Sequence, residues 1–242
     1  MGKRKFLYMI YNENEQSVTS TGIEFADFVH SLPIGINHIL LLDSGYADGD
    51  FHAGLRMEYV RKEYLQALYK ENVYAYGDFC WVDFDELAAL DKLDPQEKAE
   101  LLYLNHFKQP LGTPFFEKLR NQFVYMAHDD GWFNKVFYKN VELYTDMLRN
   151  LVAYRLKTYG LDTPPLTADV GEQLKLFAKD GLLIERSSFV KSHTGVEIPL
   201  HVIGTIANQD ELHNNIERYK SEARSQHWLM YKNGEWTIRQ HH

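Results

Sequence analysis

The chain has 242 residues, 45 % hydrophobic and 25 % charged, with a formal net charge of −8 and one cysteine. A chain of this length and composition builds a core without a disulfide or metal staple, and one thiol forms no internal disulfide, which fits a reducing compartment. No apolar stretch approaches the roughly 20 residues that a spanning helix needs, and the negative charge repels nucleic-acid backbone and acidic lipid, so a membrane protein and a nucleic-acid binder are set aside.

Lys3-Arg4-Lys5 precede an apolar run, Phe6–Tyr11, which Asn12-Glu13-Asn14-Glu15 then interrupts. A secretory signal needs an apolar run of about 7–15 residues and a small-residue cleavage site. The run is six residues long, so the expectation is a cytoplasmic chain whose residues 5–11 form a strand. Residues 22–31 read as a short helix and 36–42 as a second apolar strand. Two strands enclosing a helix predict a parallel βαβ unit.

The second strand runs into Asp43-Ser-Gly-Tyr-Ala-Asp48-Gly-Asp50-Phe-His52. Oxygen-rich loops with glycine suit Mg²⁺ or Ca²⁺, and a histidine widens the choice to Zn²⁺ or Mn²⁺. Asp43, Asp48, Asp50 and His52 are therefore the candidate metal ligands, although the spacing matches no EF-hand and any polar turn carries the same residue types. Residues 54–71 are predicted to be helical, with Tyr59, Val60, Tyr64 and Leu68 inward and Glu58–Lys62 as an exposed pair.

Three aromatic stretches follow at intervals: Val73–Phe84, Phe123–Tyr138 and His227–Arg239. Each carries a turn signal, Gly77-Asp78, Asp129-Asp130-Gly131 or Asn233-Gly234, and all four tryptophans lie in them. Asn-Gly and Asp-Gly between β-forming runs are strong hairpin cues because both residues tolerate positive φ. In the first stretch Cys80 reads as a small buried hydrophobe, and strand alternation sets Trp81 and Asp83 on one face. In the second, His128 beside Asp129 and Asp130 suits an acid/base pair, with Trp132 as an aromatic anchor, though the turn alone accounts for Asp-Asp-Gly. Trp81, Asp83, His128, Asp129, Asp130 and Trp132 are the candidate ligand-binding residues.

Helix starts are legible. Asp94-Pro95-Gln96-Glu97 is a capping box with proline at the first helical position. Thr113-Pro114 opens another predicted helix, and Asn140 caps a long one that stops at Gly160. Gly160-Leu-Asp-Thr-Pro-Pro165 is the best boundary, dividing a main α+β domain, 1–160, from a smaller subdomain, 166–242, that stands alone or packs as one unit with the first. Within the latter, a helix opens at Asp169, strands 183–191 and 196–203 flank His193-Thr194-Gly195, and a helix opening at Asn208 carries Leu212, Ile216, Tyr219 and Ala223 as one apolar stripe. Helix 169–180 with its hairpin imitates a winged helix, but residues 161–242 hold 9 bases against 11 acids, and DNA binding needs a basic face.

The pattern is α+β: a mixed, mostly antiparallel sheet built from aromatic hairpins, with flanking helices. Residues 43–100 hold 14 acids and 6 bases, 6 − 14 = −8, which is the charge of the whole chain. That segment suits a cationic protein or peptide surface. No dinucleotide fingerprint, P-loop, G-x-S-x-G elbow, H-E-x-x-H or C-x-x-C occurs, and no cofactor is implied. Two functions follow from different classes. One is a non-enzymatic binding or regulatory protein that uses the aromatic hairpins and the acidic segment. The other is a metal-dependent hydrolase in which Asp43, Asp48, Asp50 and His52 converge with His128 and Asp129.

Gly77-Asp-Phe-Cys-Trp-Val-Asp-Phe84, together with Ala127-His-Asp-Asp-Gly-Trp-Phe133, resembles a family of small bacterial proteins without assigned activity, over residues 1–160. Some members carry an oxalate:formate antiporter label. That label implies a transporter of many spans, which this chain lacks the apolar stretches to form. The resemblance implies no catalytic residues.

Overall fold

The computed structural model describes residues 6–43, 45–73, 76–107, 110–128, 131–185, 188–192, 195–206 and 209–240. The elements in chain order are β1 (Phe6–Asn12), β2 (Ser17–Thr21), α1 (Phe25–Ser31), β3 (His38–Leu42), β4 (Asp50–His52), β5 (Met57–Arg61), α2 (Leu65–Leu68), β6 (Phe79–Phe84), α3 (Leu87–Lys92) and α4 (Pro95–Phe107). They continue with β7 (Phe123–His128), β8 (Phe133–Tyr138), α5 (Val141–Lys157), α6 (Ala168–Lys179), β9 (Leu182–Glu185), β10 (Val190–Ser192), β11 (Gly195–Val202), α7 (Gln209–Ser221), β12 (Ser225–Lys232) and β13 (Glu235–Gln240). The strands form one sheet in the order β13-β12-β11-β9-β1-β2-β8-β7-β6-β3-β5-β4, with β10 beside β11. Every ladder among the described residues is antiparallel. Among those residues no helix is long and apolar enough to cross a membrane.

The α+β class holds, and several local expectations need correction. Residues 5–11 and 36–42 do not form a parallel unit, because β1 turns back at once into β2. That turn has no glycine. The Asn12 side chain closes it by accepting from the N–H groups of Asn14 and Glu15, at 3.1 and 3.2 Å, a local bond that competes with a continuing strand. Residues 54–71 are not one helix: Arg56 takes a positive φ of 56°, and β5 then pairs Val60 with Ile39. β-branched and aromatic residues at 59 and 60 fit a pleated surface better than a helix. Stretch 73–84 is no hairpin, since β6 pairs with β3 and β7 instead. Thr113-Pro114 opens no helix.

The two other hairpins form as expected, β7–β8 with Phe123 opposite Tyr138 and β12–β13 with Lys232 opposite Glu235. The caps at Asp94 and Asn140 also stand. Glu97 N–H donates to Asp94, Asp94 N–H to Glu97, and Leu143 N–H to Asn140, at 2.9, 2.9 and 2.8 Å. The helix expected to open at Asp169 begins at Ala168 with Thr167 at its cap position, and Asn208, His193 and Thr194 lie outside the described residues. Beyond Pro165 the chain returns to the centre of the same sheet, where β9 pairs with β1 through Tyr8 and Leu183.

Strand alternation sorts the core between two faces. On the first face Phe79, Trp81, Tyr125, Leu41 and Met9 pack beneath α1, α2, α5 and α6 as one continuous cluster. Phe25 of α1 is its wedge, its ring edge-on to Trp81 at 4.4 Å and to Tyr125 at 5.1 Å. Arg155 of α5 pairs there with Asp27 of α1 and donates to the Gly22 carbonyl at 2.8 Å. Gly22 has φ +89°, and a side chain on it would strike the Phe6 carbonyl, so only glycine fits this turn. The second face is covered in two separate patches. One lies over β6, β3 and β7 beneath α3 and α4, with Leu101 and Leu104 on Val82, Val124 and Met126. The other lies over β1 and β9 beneath α7, with Leu212 and Ile206 on Phe6, Tyr8 and Leu183.

Candidate functional site

Between the two patches the second face of the sheet is left open. The register puts Ile10 of β1, Thr19 of β2 and Lys135 of β8 in one row, with Asn12, Ser17 and Phe137 in the next. These are central strands, yet their second face carries hydroxyl, amide and ammonium groups. An open trough of ≈ 480 Å³ runs over them, lined by Ile10, Tyr11, Asn12, Glu13, Glu15, Ser17, Thr19, Lys135, Lys179 and Thr205. Tyr11 belongs to the first-face cluster, so the trough reaches round the end of β1. β1 and β8 lie about 10 Å apart across β2, two strand spacings.

The walls are fixed by specific bonds. Lys135 Nζ meets Glu15 Oε2 at 2.6 Å and lies 5.0 Å from the centre of the Phe137 ring. Lys179, from the end of α6, meets Glu13 Oε2 at 2.7 Å. Each hydrogen bond holds its glutamate below the usual carboxylate range. Opposite them, the Tyr8 hydroxyl donates to the Gly204 carbonyl at 3.0 Å and accepts from the Ile206 N–H at 3.2 Å, which seats Thr205 at the rim. Burial pushes Tyr8 up to about 12. Outside the trough's lining, Trp132, on the tip of β7–β8, is 41 % exposed and meets the ring of His213 of α7 at 6.2 Å. His213 in turn faces Phe6 at 6.4 Å.

The residues singled out from sequence fall in three places. Trp81 is fully buried on the first face and Asp83 is buried beside it, so they share a face as expected but lie inside the core. Asp83 accepts from the N–H groups of Gln122 and Phe123 at 3.0 and 2.8 Å, which ties the end of β6 to the start of β7. Burial raises its carboxyl to about 7, against the lowering effect of those donors. His128 stacks on Phe133 at 5.0 Å, with Asp78 at 3.9 Å, and does not line the trough. Asp129 and Asp130 lie outside the described residues.

The loop after β3 is differently engaged. Asp50 is bound by Arg61 at 2.7 Å. His52 Nε2 faces Asp91 at 3.2 Å while its Nδ1 accepts from the Leu55 N–H. Asp43 takes a positive φ of 50° in the turn after β3. Asp48 lies near Tyr46 and Tyr76 and contributes to raising both phenols, after burial, the main cause. Among the described residues no group of three or more His, Cys, Asp or Glu gathers closely enough to hold a metal ion. Cys80 is buried in the second-face core, and burial pushes its thiol up.

Sequence reading missed Thr19, Lys135, Glu13, Glu15, Lys179 and Thr205. Their only trace was the polar alternation of Ser17-Val-Thr-Ser-Thr21 and the lysine in Phe133-Asn-Lys-Val-Phe-Tyr138. Such alternation marks a strand with one solvated face. Comparison with known proteins adds nothing: no family model, no curated protein and no solved structure matches the chain.

Proposed function

We propose that this chain is a non-enzymatic binding protein of the cytoplasm that takes an extended segment of a protein or peptide partner along the second-face trough. The observation that supports this most is the open polar strip across the three central strands, bounded on both sides by helix-covered patches. Its volume lies in the range of small-ligand and peptide sites. The charged groups lining it are held in place by opposite charges. They are therefore already oriented for recognition, and Glu13 and Glu15, held below the usual carboxylate range, suit binding of donors more than proton transfer. Trp132 offers a half-exposed aromatic anchor outside the trough's lining. The acidic excess of residues 43–100 favours a partner with basic flanks.

The test is a displayed library of random linear peptides panned against the full chain, with the selected peptides titrated into Thr19→Arg. The arginine fills the floor of the trough. The expected result is enrichment of peptides with basic residues, whose affinity falls at least about tenfold in the variant, a loss of about 1.4 kcal/mol. Peptides that bind Thr19→Arg as tightly as the natural chain would overturn the assignment.

A further inference from the structure

β13 is the last strand of the sheet order, so its outer edge meets no strand among the described residues. The turn before it decides which backbone groups face outward. Asn233 and Gly234 both have positive φ, 54° and 88°, which is a type I′ turn, and in such a turn the N–H of Glu235 donates to the carbonyl of Lys232. Hydrogen-bonded positions alternate along an antiparallel strand. Glu235, Thr237 and Arg239 therefore direct their backbone groups at β12, and Trp236, Ile238 and Gln240 direct theirs outward.

The side chains of this edge complement themselves. In an antiparallel pair of β13 strands with Thr237 on the two-fold axis, Trp236 of each copy stands opposite Ile238 of the other. Both have outward backbone groups, so each such pair exchanges two hydrogen bonds. In the same register Glu235 stands opposite Arg239, twice, at non-hydrogen-bonded positions where cross-strand side chains come closest. The two neighbouring registers of the same phase, centred on Trp236 or Ile238, set Thr237 against Glu235 or against Arg239 and lose both ion pairs. Trp236 is buried, its ring 5.0 Å from that of Tyr231, and Ile238 is half-buried beside them on the first face. Pairing there prolongs the existing core. Sheet edges are usually blunted by shortness, lysine, proline or a bulge. The other edge, β4, has three residues, whereas β13 has six and carries neither lysine nor proline.

We infer that β13 pairs with β13 of a second copy of this chain, joining two sheets across a two-fold axis at Thr237. The surface is distinct from the trough, so the two proposals stand or fall separately. Sedimentation velocity on the full chain decides it, run from about 1 µM to about 200 µM, the range in which weak interfaces reveal themselves. The expected result is a rise from the 28.4 kDa chain mass to twice that value. Arg239→Glu sets a glutamate opposite Glu235 and should weaken association at least tenfold. Ile238→Pro removes an outward N–H without touching the β12 ladder and should abolish association. The double exchange Glu235→Arg with Arg239→Glu restores the opposite pair and should restore association. A natural chain that stays at its monomer mass throughout, an Arg239→Glu chain that associates unchanged, or a double exchange that remains monomeric would overturn the inference.

Discussion

The two faces of the sheet obey different rules. On the first, one apolar cluster runs beneath α1, α2, α5 and α6, and some of the polar groups it encloses are bound to one another: Arg155 to Asp27, and Ser20 to Asn134, whose amide donates to the Ile23 carbonyl at 2.8 Å. Ser31 Oγ and Trp81 Nε1, by contrast, are buried without a hydrogen-bond partner among the described residues. On the second, helices cover the two sides and leave Thr19 and Lys135 facing the gap between them. Burial of apolar surface dominates folding free energy, so the continuous face should carry most of the stability. The strip on the second face should cost little to alter, as the proposed role in recognition requires. Each prediction below probes one side of that contrast.

The largest effect should come from Arg155→Ala. It removes the cation that pairs with Asp27 in the first-face core, and breaking a buried pair in this way costs about 3–5 kcal/mol. Urea unfolding checks it, and joint replacement by Arg155→Met with Asp27→Leu should recover most of the loss. Leu151→Ala, at a fully buried position of α5, should cost about 2–5 kcal/mol because the packed helix cannot collapse onto the void. A loss under 1 kcal/mol at either position would mean that the first face is not the continuous core described.

Asp83 sharpens the contrast through pH. Burial raises its carboxyl to about 7, above the ordinary aspartate value near 3.9. Between those values the folded chain keeps a proton that the unfolded chain gives up. The stability contributed by this group is therefore complete below the lower value, falls as pH climbs through the interval, and is flat above about 7. Relative to Asp83→Asn, which does not titrate, the natural chain should lose about 1–4 kcal/mol between pH 4 and 8. Unfolding curves at the two ends measure the difference, and a difference that does not change with pH contradicts the buried, backbone-bound carboxylate.

Much of this fold was legible where the cause is local. The capping box at Asp94–Glu97, the Asn140 cap and the Asn233-Gly234 turn each depend on neighbours within a few residues, and each is found in place. Pairing partners were not legible. Nothing near Phe6–Asn12 announces that Tyr8 will lie against Leu183, or that β2 will fall at the centre of the sheet. Residues 57–61 misled because Tyr59, Val60 and Tyr64 satisfy a helical spacing as well as a pleated one, and only the pairing of Val60 with Ile39 decides between them. The trough was illegible for a compound reason: its floor is assembled from strands distant in sequence, and its polarity is informative only once those strands are known to be central. The prominent motifs pointed elsewhere. Trp81 and Asp83 drew attention by their chemistry, and the structure places them inside the core.

The smallest stability effect belongs to the strip. Thr19→Ala should change unfolding free energy by no more than about 0.5 kcal/mol, as at ordinary surface positions. Lys135→Met breaks a partly exposed ion pair with Glu15, 16 % and 47 % exposed, and should cost no more than about 1 kcal/mol.

The combined variant Thr19→Ala, Lys135→Met and Glu15→Gln tests the division of labour most directly when its urea midpoint and its affinity for a library-selected peptide are measured on one preparation. The predicted result is a stability within about 1.5 kcal/mol of the natural chain, with peptide affinity reduced at least about tenfold. A loss of stability comparable to that of Leu151→Ala, or an undiminished affinity, would contradict the assignment of one face to the fold and the open strip of the other to recognition.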